Sequence, residues 1–134
     1  MGRRATLRII VRAASVIACA AMSGTATVAA LDLAAAEQQF KTSCGTCHTV
    51  VESDPPRQGP NLRSVYGRSA GTLADFKYSA ALKNGGWVWE EATLDPWIEN
   101  APAVHPGTFM NYRQANPDKR KLIIDYLKSL ATSN

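Results

Sequence analysis

The chain has 134 residues, with 15 lysines and arginines against 11 aspartates and glutamates, a net charge of +4 and 46% apolar residues. That length holds one domain at most. The excess charge lies in the first 30 residues, which carry Arg3, Arg4, Arg8 and Arg12 and no acid; the remainder balances 11 bases with 11 acids, which excludes a basic nucleic-acid surface on the folded part.

Arg3 to Arg12 form a charged n-region, Ala13 to Met22 a small apolar h-region, and Val28-Ala29-Ala30 supplies small residues for cleavage after Ala30. Residues 1–30 are therefore read as a cleaved secretory signal peptide and 31–134 as the mature domain. A retained membrane anchor fits less well, because Ser15, Ser23, Gly24, Thr25 and Thr27 interrupt a mostly alanine run. Arg3-Arg4 is only loosely similar to a twin-arginine signal. Val16-Ile17-Ala18-Cys19 resembles a lipoprotein cleavage box, yet only six residues separate Arg12 from Cys19, short for an h-region. The expected location is a bacterial periplasm or its equivalent. No membrane span is expected after cleavage, and the mature protein is expected to be a monomer.

Asp32 is the expected N-cap of a helix over Leu33 to Ser43, with Leu33, Ala36 and Phe40 on one face. That helix leads into Cys44-Gly45-Thr46-Cys47-His48. Two cysteines three apart and a following histidine are the sequence form of a c-type haem attachment site. On a helical turn, residues three apart share a face, so both sulfurs reach the edge of one porphyrin and His48 is carried beneath its iron. The rival readings of the motif are weaker. A thioredoxin-like pair needs a βαβ context, which is missing. A zinc site needs further ligands, and His105 is the only other histidine. A disulfide between cysteines so close is uncommon.

Residues 51–63 contain Pro55, Pro56, Gly59 and Pro60 and read as a loop. A short helix is expected near Leu62 to Tyr66, ended by Gly67. Another is expected from a Ser79 cap to Asn84, closed by Gly85-Gly86. A third runs over Glu90 to Asn100, with Pro96 straining or shifting its start. The last begins at Asn116 as N-cap, with Pro117 in the first position and Asp118 complementing the dipole. Its apolar stripe is Leu122, Ile123, Tyr126, Leu127 and Leu130, and Lys119, Arg120, Asp125 and Lys128 are expected in solvent. No stretch alternates as a strand does. A second iron ligand that stays bound in both oxidation states has one thioether available after the leader, Met110 in Pro106-Gly107-Thr108-Phe109-Met110. His105 in the same loop is the rival, and bis-histidine ligation would lower the potential.

From Asp32 onward the chain closely resembles the class I mono-haem cytochromes c, the mitochondrial cytochrome c and bacterial cytochrome c2-like group. The resemblance rests on Cys44 to Val50, Gly59-Pro60-Asn61-Leu62, Tyr66-Gly67-Arg68, Phe76-Lys77-Tyr78-Ser79, Trp89 with Thr93-Leu94, Pro106-Gly107-Thr108 with Met110, and Tyr126-Leu127. It implies an all-α fold of four to five helices around one covalent haem c, with the first and last helices crossing where Phe40 meets Ile123 and Tyr126. It also implies that the Pro60 carbonyl accepts from His48 Nδ1. Tyr78 and Trp89 would donate to a buried haem propionate, with Ser79 beside one and Arg68 offsetting its charge. Several positions depart from the family. Trp97 stands where a tyrosine often approaches the methionine sulfur. Leu82 replaces a buried asparagine, Ala36 replaces a glycine at the helix crossing, and Phe109 replaces a lysine. Pro102 and Ala103 also stand at lysine positions of mitochondrial members, leaving Lys41 and Arg57 as possible members of a basic rim. The resemblance implies a periplasmic single-electron carrier, not an enzyme, with His48 and Met110 as axial ligands and redox proteins as partners. A dedicated subunit of a dehydrogenase or oxidase is the first alternative, and a haem enzyme or sensor with an open iron position the second.

Overall fold

A computed structural model describes residues 24–131, with backbone alone for 24–31. The charged and apolar parts of the leader, and Cys19, lie outside the described residues. Among the described residues four helices occur in order: α1 (Gly24–Ser43), α2 (Ala80–Lys83), α3 (Glu91–Val104) and α4 (Pro117–Ala131). The described residues contain no strand, only isolated bridges pairing Ser69 with Val88 and Asn100 with Arg113. The all-α expectation holds.

The frame is α1 packed on α4, with α3 also against α4. Phe40 and Tyr126 meet at 5.1 Å between ring centroids, and Ala36 and Ile123 are sealed beside them. Burying two aromatic rings and the aliphatic stripe of α4 gives this crossing most of its stability, since each fully buried large apolar side chain contributes about 1.5–3 kcal/mol. Leu33 departs from the expected face and is 45% exposed. Asp32 departs as well. With the alanine-rich segment before it and no glycine or proline from Thr25 to Ser43, the helix continues through Asp32, which is interior and caps nothing.

The start of α4 follows the sequence reading: Asn116 Oδ1 accepts the Lys119 N–H at 3.1 Å, ahead of Pro117. Arg120 does not. It is 7% exposed and donates to Asp95 Oδ1 at 2.7 Å and to the carbonyls of Gln114 and Ala115 at 3.1 and 3.0 Å. A cation is tolerated there because its donors meet acceptors from α3 and from the loop ahead of α4.

In α3 the start is fixed at Glu91 and Pro96 lies inside. Thr93 Oγ1 accepts the Glu90 N–H at 2.9 Å and donates to the Val88 carbonyl at 2.7 Å, which pins the first turn before Pro96 can shift it. The helix breaks at Asn100 (φ −161°, ψ 81°). Asn100 Oδ1 then accepts the Ala103 N–H at 3.4 Å, so Pro102 falls in a fresh first turn, where a missing N–H costs little. The helix expected over Leu62 to Tyr66 is a pair of turns instead. Ser64 has φ +53°, a left-handed conformation that no right-handed helix can include.

Candidate functional site

After α1 the chain winds one further turn. Cys44 N–H bonds to the Phe40 carbonyl at 2.7 Å, and the Cys44 carbonyl accepts from Cys47 and His48 at 3.1 and 2.9 Å. A Cβ at Gly45 would lie 2.6 Å from the Lys41 carbonyl oxygen, so the turn requires a residue without one. This places Cys44, Cys47 and His48 together on the wall of a cavity of about 400 Å³. Its apolar lining includes Leu62, Val65, Leu82, Leu94, Ile98 and Leu127.

No disulfide joins Cys44 to Cys47. Burial, then the neighbouring Cys47, pushes the Cys44 thiol up to about 12. A reactive redox cysteine is held as a thiolate in an electropositive setting, so Cys44 does not have the character of a disulfide-exchange thiol. Cys47 donates its S–H to Gln58 Oε1 at 3.2 Å. Arg57 donates to the Gly45 carbonyl, and Gly59 N–H bonds to the Cys47 carbonyl at 2.8 Å. The 57–59 loop thereby straps the attachment turn, which sequence reasoning missed.

His48 Nδ1 lies 2.8 Å from the Pro60 carbonyl oxygen. A carbonyl only accepts, so Nδ1 carries the proton and Nε2 keeps its lone pair. Burial holds the imidazole below its ordinary value, opposed by the Pro60 bond, and the ring is neutral at pH 7. Gly59 packs directly against it: a Cβ there would lie 2.2–2.8 Å from three ring atoms. The glycine-proline pair thus leaves room for the ring and orients it.

Met110 lines the same cavity, as do Arg68, Tyr78, Ser79, Trp89 and Trp97. The loop reaches Met110 through a turn in which Thr108 N–H bonds to the His105 carbonyl at 3.2 Å and Gly107 takes φ +85°. Thr108 Oγ1 then accepts the Met110 N–H at 3.2 Å. His105 does not line the cavity. Its ring lies flat on Trp87, with centroids 3.8 Å apart and planes 5° apart. Trp97 packs on Trp89 at 5.4 Å as part of the wall.

The polar groups of the wall have a consistent character. Ser79 occupies the cap position of α2 but makes no cap bond. Its hydroxyl is buried without a partner, although it lines the cavity. Arg68 donates to the Arg63 and Asn61 carbonyls at 3.2 and 3.3 Å, and burial lowers its pKa. Burial raises that of Tyr78 against the opposing charge of Arg68, so the phenol keeps its proton and can donate. An orphaned hydroxyl, a phenol donor and a half-buried guanidinium on one apolar wall fit an anionic group carried on a large flat apolar body.

The Cytochrome c family model matches residues 33–131. The chain belongs to the cytochrome c family. It is 41% identical over 98 residues to the cytochrome c of Nigella damascena, covering 72% of this chain and 88% of that protein. It is 43% identical over 114 residues to the cytochrome c2 of Rhodomicrobium vannielii, covering 80% and 90%. Against the cytochrome c of Chlamydomonas reinhardtii it is 40% identical over 108 residues, covering 80% and 96%. As a member of the cytochrome c family the protein binds one covalent haem c, for which Cys44, Cys47 and His48 stand in the attachment arrangement, and it carries electrons to and from redox partner proteins; it is not an enzyme. Among the described residues no helix is long and apolar enough to cross a membrane.

Proposed function

We propose that this protein is an exported, periplasmic, monomeric single-electron carrier in which His48 and Met110 are the axial ligands of a haem held by thioethers from Cys44 and Cys47. The bond between His48 Nδ1 and the Pro60 carbonyl, at 2.8 Å, carries the ligand assignment. It fixes the tautomer with a free Nε2 and raises the basicity of the ring, the usual duty of a group behind a metal-bound histidine. Met110, on another segment of the same wall, supplies a soft neutral thioether of the kind that favours reduced iron and raises the potential.

The haem supplies the Fe(III)/Fe(II) couple when bound. The protein's part is to hold and shield. Tyr78, Ser79, Trp89 and Arg68 receive the propionates, with Ser79's unpartnered hydroxyl as one donor. Trp97 and the aliphatic lining exclude water, which keeps the local dielectric low. Residues 1–30 act as a cleaved leader, supported by the arginine-then-apolar pattern and by the likeness to a bacterial cytochrome c2. A mature N-terminus at Leu31 is expected.

One observation favours a dedicated subunit of a dehydrogenase or oxidase as a second reading: Phe109, next to Met110 and lining the opening, is 74% exposed, an apolar group suited to a lasting contact. Gel filtration of the native extract separates the two, since a shuttle elutes at monomer size. Carbon monoxide tests the ligand assignment. The reduced holoprotein of an electron carrier with both axial positions filled leaves its spectrum unchanged under the gas. Ready carbon monoxide binding would mean an open iron position and a different function.

A further inference from the structure

His105 is outside the cavity, yet its carbonyl opens the turn that carries Met110. Its ring is stacked on Trp87 at 3.8 Å and 5° and tilted against Trp97 at 5.6 Å. Trp87 belongs to the loop after α2 and is itself held closely. A Cβ on Gly85 would lie 1.9 Å from its ring, and Trp89 meets it edge-on at 5.4 Å. Among the described residues this stack is the only ring contact joining the 105–112 segment to the 85–89 loop. Beyond Met110 the segment returns to α3 through its backbone, by Ala101 N–H to the Tyr112 carbonyl at 3.3 Å and Gln114 N–H to the Ile98 carbonyl at 3.0 Å. Both ends of the segment meet α3 through the backbone, the near end by His105 N–H to the Ala101 carbonyl at 3.0 Å. The near end alone adds a flat aromatic contact, in which the buried indole N–H of Trp87 has no partner. The Trp87 carbonyl accepts the Ala70 N–H at 2.8 Å, but no polar group meets its indole, so packing with His105 and Trp89 holds the ring in place.

We propose that Trp87 and His105 are positioning residues for Met110: their stack clasps the near end of the ligand-bearing loop to the pocket wall and keeps the thioether in place. The inference rests on the assignment of Met110 as an axial ligand. A stack that sets how readily the loop lifts also sets how readily an outside ligand takes the thioether's place, because that replacement requires the loop to open first.

The test uses ferric holoprotein and imidazole as the competing ligand, followed by the far-red absorption band of methionine-to-iron bonding. His105→Leu keeps bulk and apolar character but removes the flat ring, while His105→Phe restores a ring that can stack. Imidazole is expected to bind His105→Leu about two- to tenfold more tightly than the parent, with His105→Phe returning to the parent value. Equal affinities for the parent and His105→Leu would overturn the clasp, as would His105→Phe matching His105→Leu. A parent without the methionine band would overturn the assignment of Met110 itself, so the two failures are distinguishable. Trp87→Leu, made separately and together with His105→Leu, gives a double-mutant cycle. Additive effects on imidazole affinity would also overturn the proposal, because partners in one contact must couple.

Discussion

Gly59→Ala places one methyl group against the face of His48. The added Cβ would stand 2.2 Å from Cε1, 2.6 Å from Nδ1 and 2.8 Å from Nε2, whereas ordinary contact begins at 3.4 Å. The imidazole must therefore retreat by about an ångström. Retreat strains the 2.8 Å bond to the Pro60 carbonyl on one side and moves Nε2 from its seat on the other. Overpacking of this kind costs about 1–3 kcal/mol. In a domain of roughly 100 residues that lowers the midpoint of thermal unfolding by on the order of 10 °C. The assay is thermal unfolding of the holoprotein together with its ferric spectrum, beside Gly67→Ala as control. Gly67 has φ +83° and open space around it, so alanine there costs backbone strain without touching the ligand. Gly59→Ala is expected to lose stability and alter the iron's spectrum, and Gly67→Ala to lose stability alone. A Gly59→Ala protein with the parent's midpoint and spectrum would refute the close packing on His48 and the role assigned to its orientation.

Arg120→Met removes the donors that Asp95 and the Gln114 and Ala115 carbonyls share. Thermal stability should fall while the iron's spectrum stays unchanged; an unaltered midpoint would show that this buried cation does no structural work. His105 is held below its ordinary 6.5 by burial, so the unfolded chain takes up its proton first as pH falls. The stability of the parent relative to His105→Phe should therefore decline on acidification below about 6.5 and level off beneath the folded-state value. A difference independent of pH would contradict this. Lys41 is paired with Glu37 at 2.6 Å, Arg57 is turned onto the Gly45 carbonyl, and Phe109 stands at the opening. Association with the native redox partner should thus change little between about 0.01 M and about 0.15 M salt, over which the Debye length falls from about 30 Å to about 8 Å. Stopped-flow rates that drop steeply would contradict it.

The elements that the sequence made legible are those set by local chemistry. The N-cap at Asn116 and the Cys44 to His48 turn each follow from residues a few positions apart, whereas the pairing of Phe40 with Tyr126 came with the family resemblance. The family resemblance added the pocket, and Arg68, Tyr78, Ser79, Trp89 and Trp97 do line it with Met110. The misses depend on distant neighbours. Arg120 reads as solvated on a helical wheel until α3 brings Asp95 to it. Asp32 reads as a cap only if the helix stops there, and the alanines before it carry the helix on. Leu62 to Tyr66 has helical composition, but Ser64's left-handed backbone, set by the surrounding loop, breaks it. His105 as rival ligand depended on which way one ring turned, and Trp87, eighteen residues earlier and in a different element, supplies the surface it lies on.

The most direct test of the account is an optical redox titration of the matured holoprotein. A reversible one-electron transition at a positive potential is predicted, with a methionine-to-iron band in the ferric state that vanishes on reduction. A strongly negative potential without that band, or a high-spin iron at either end of the titration, would contradict an electron carrier ligated by His48 and Met110.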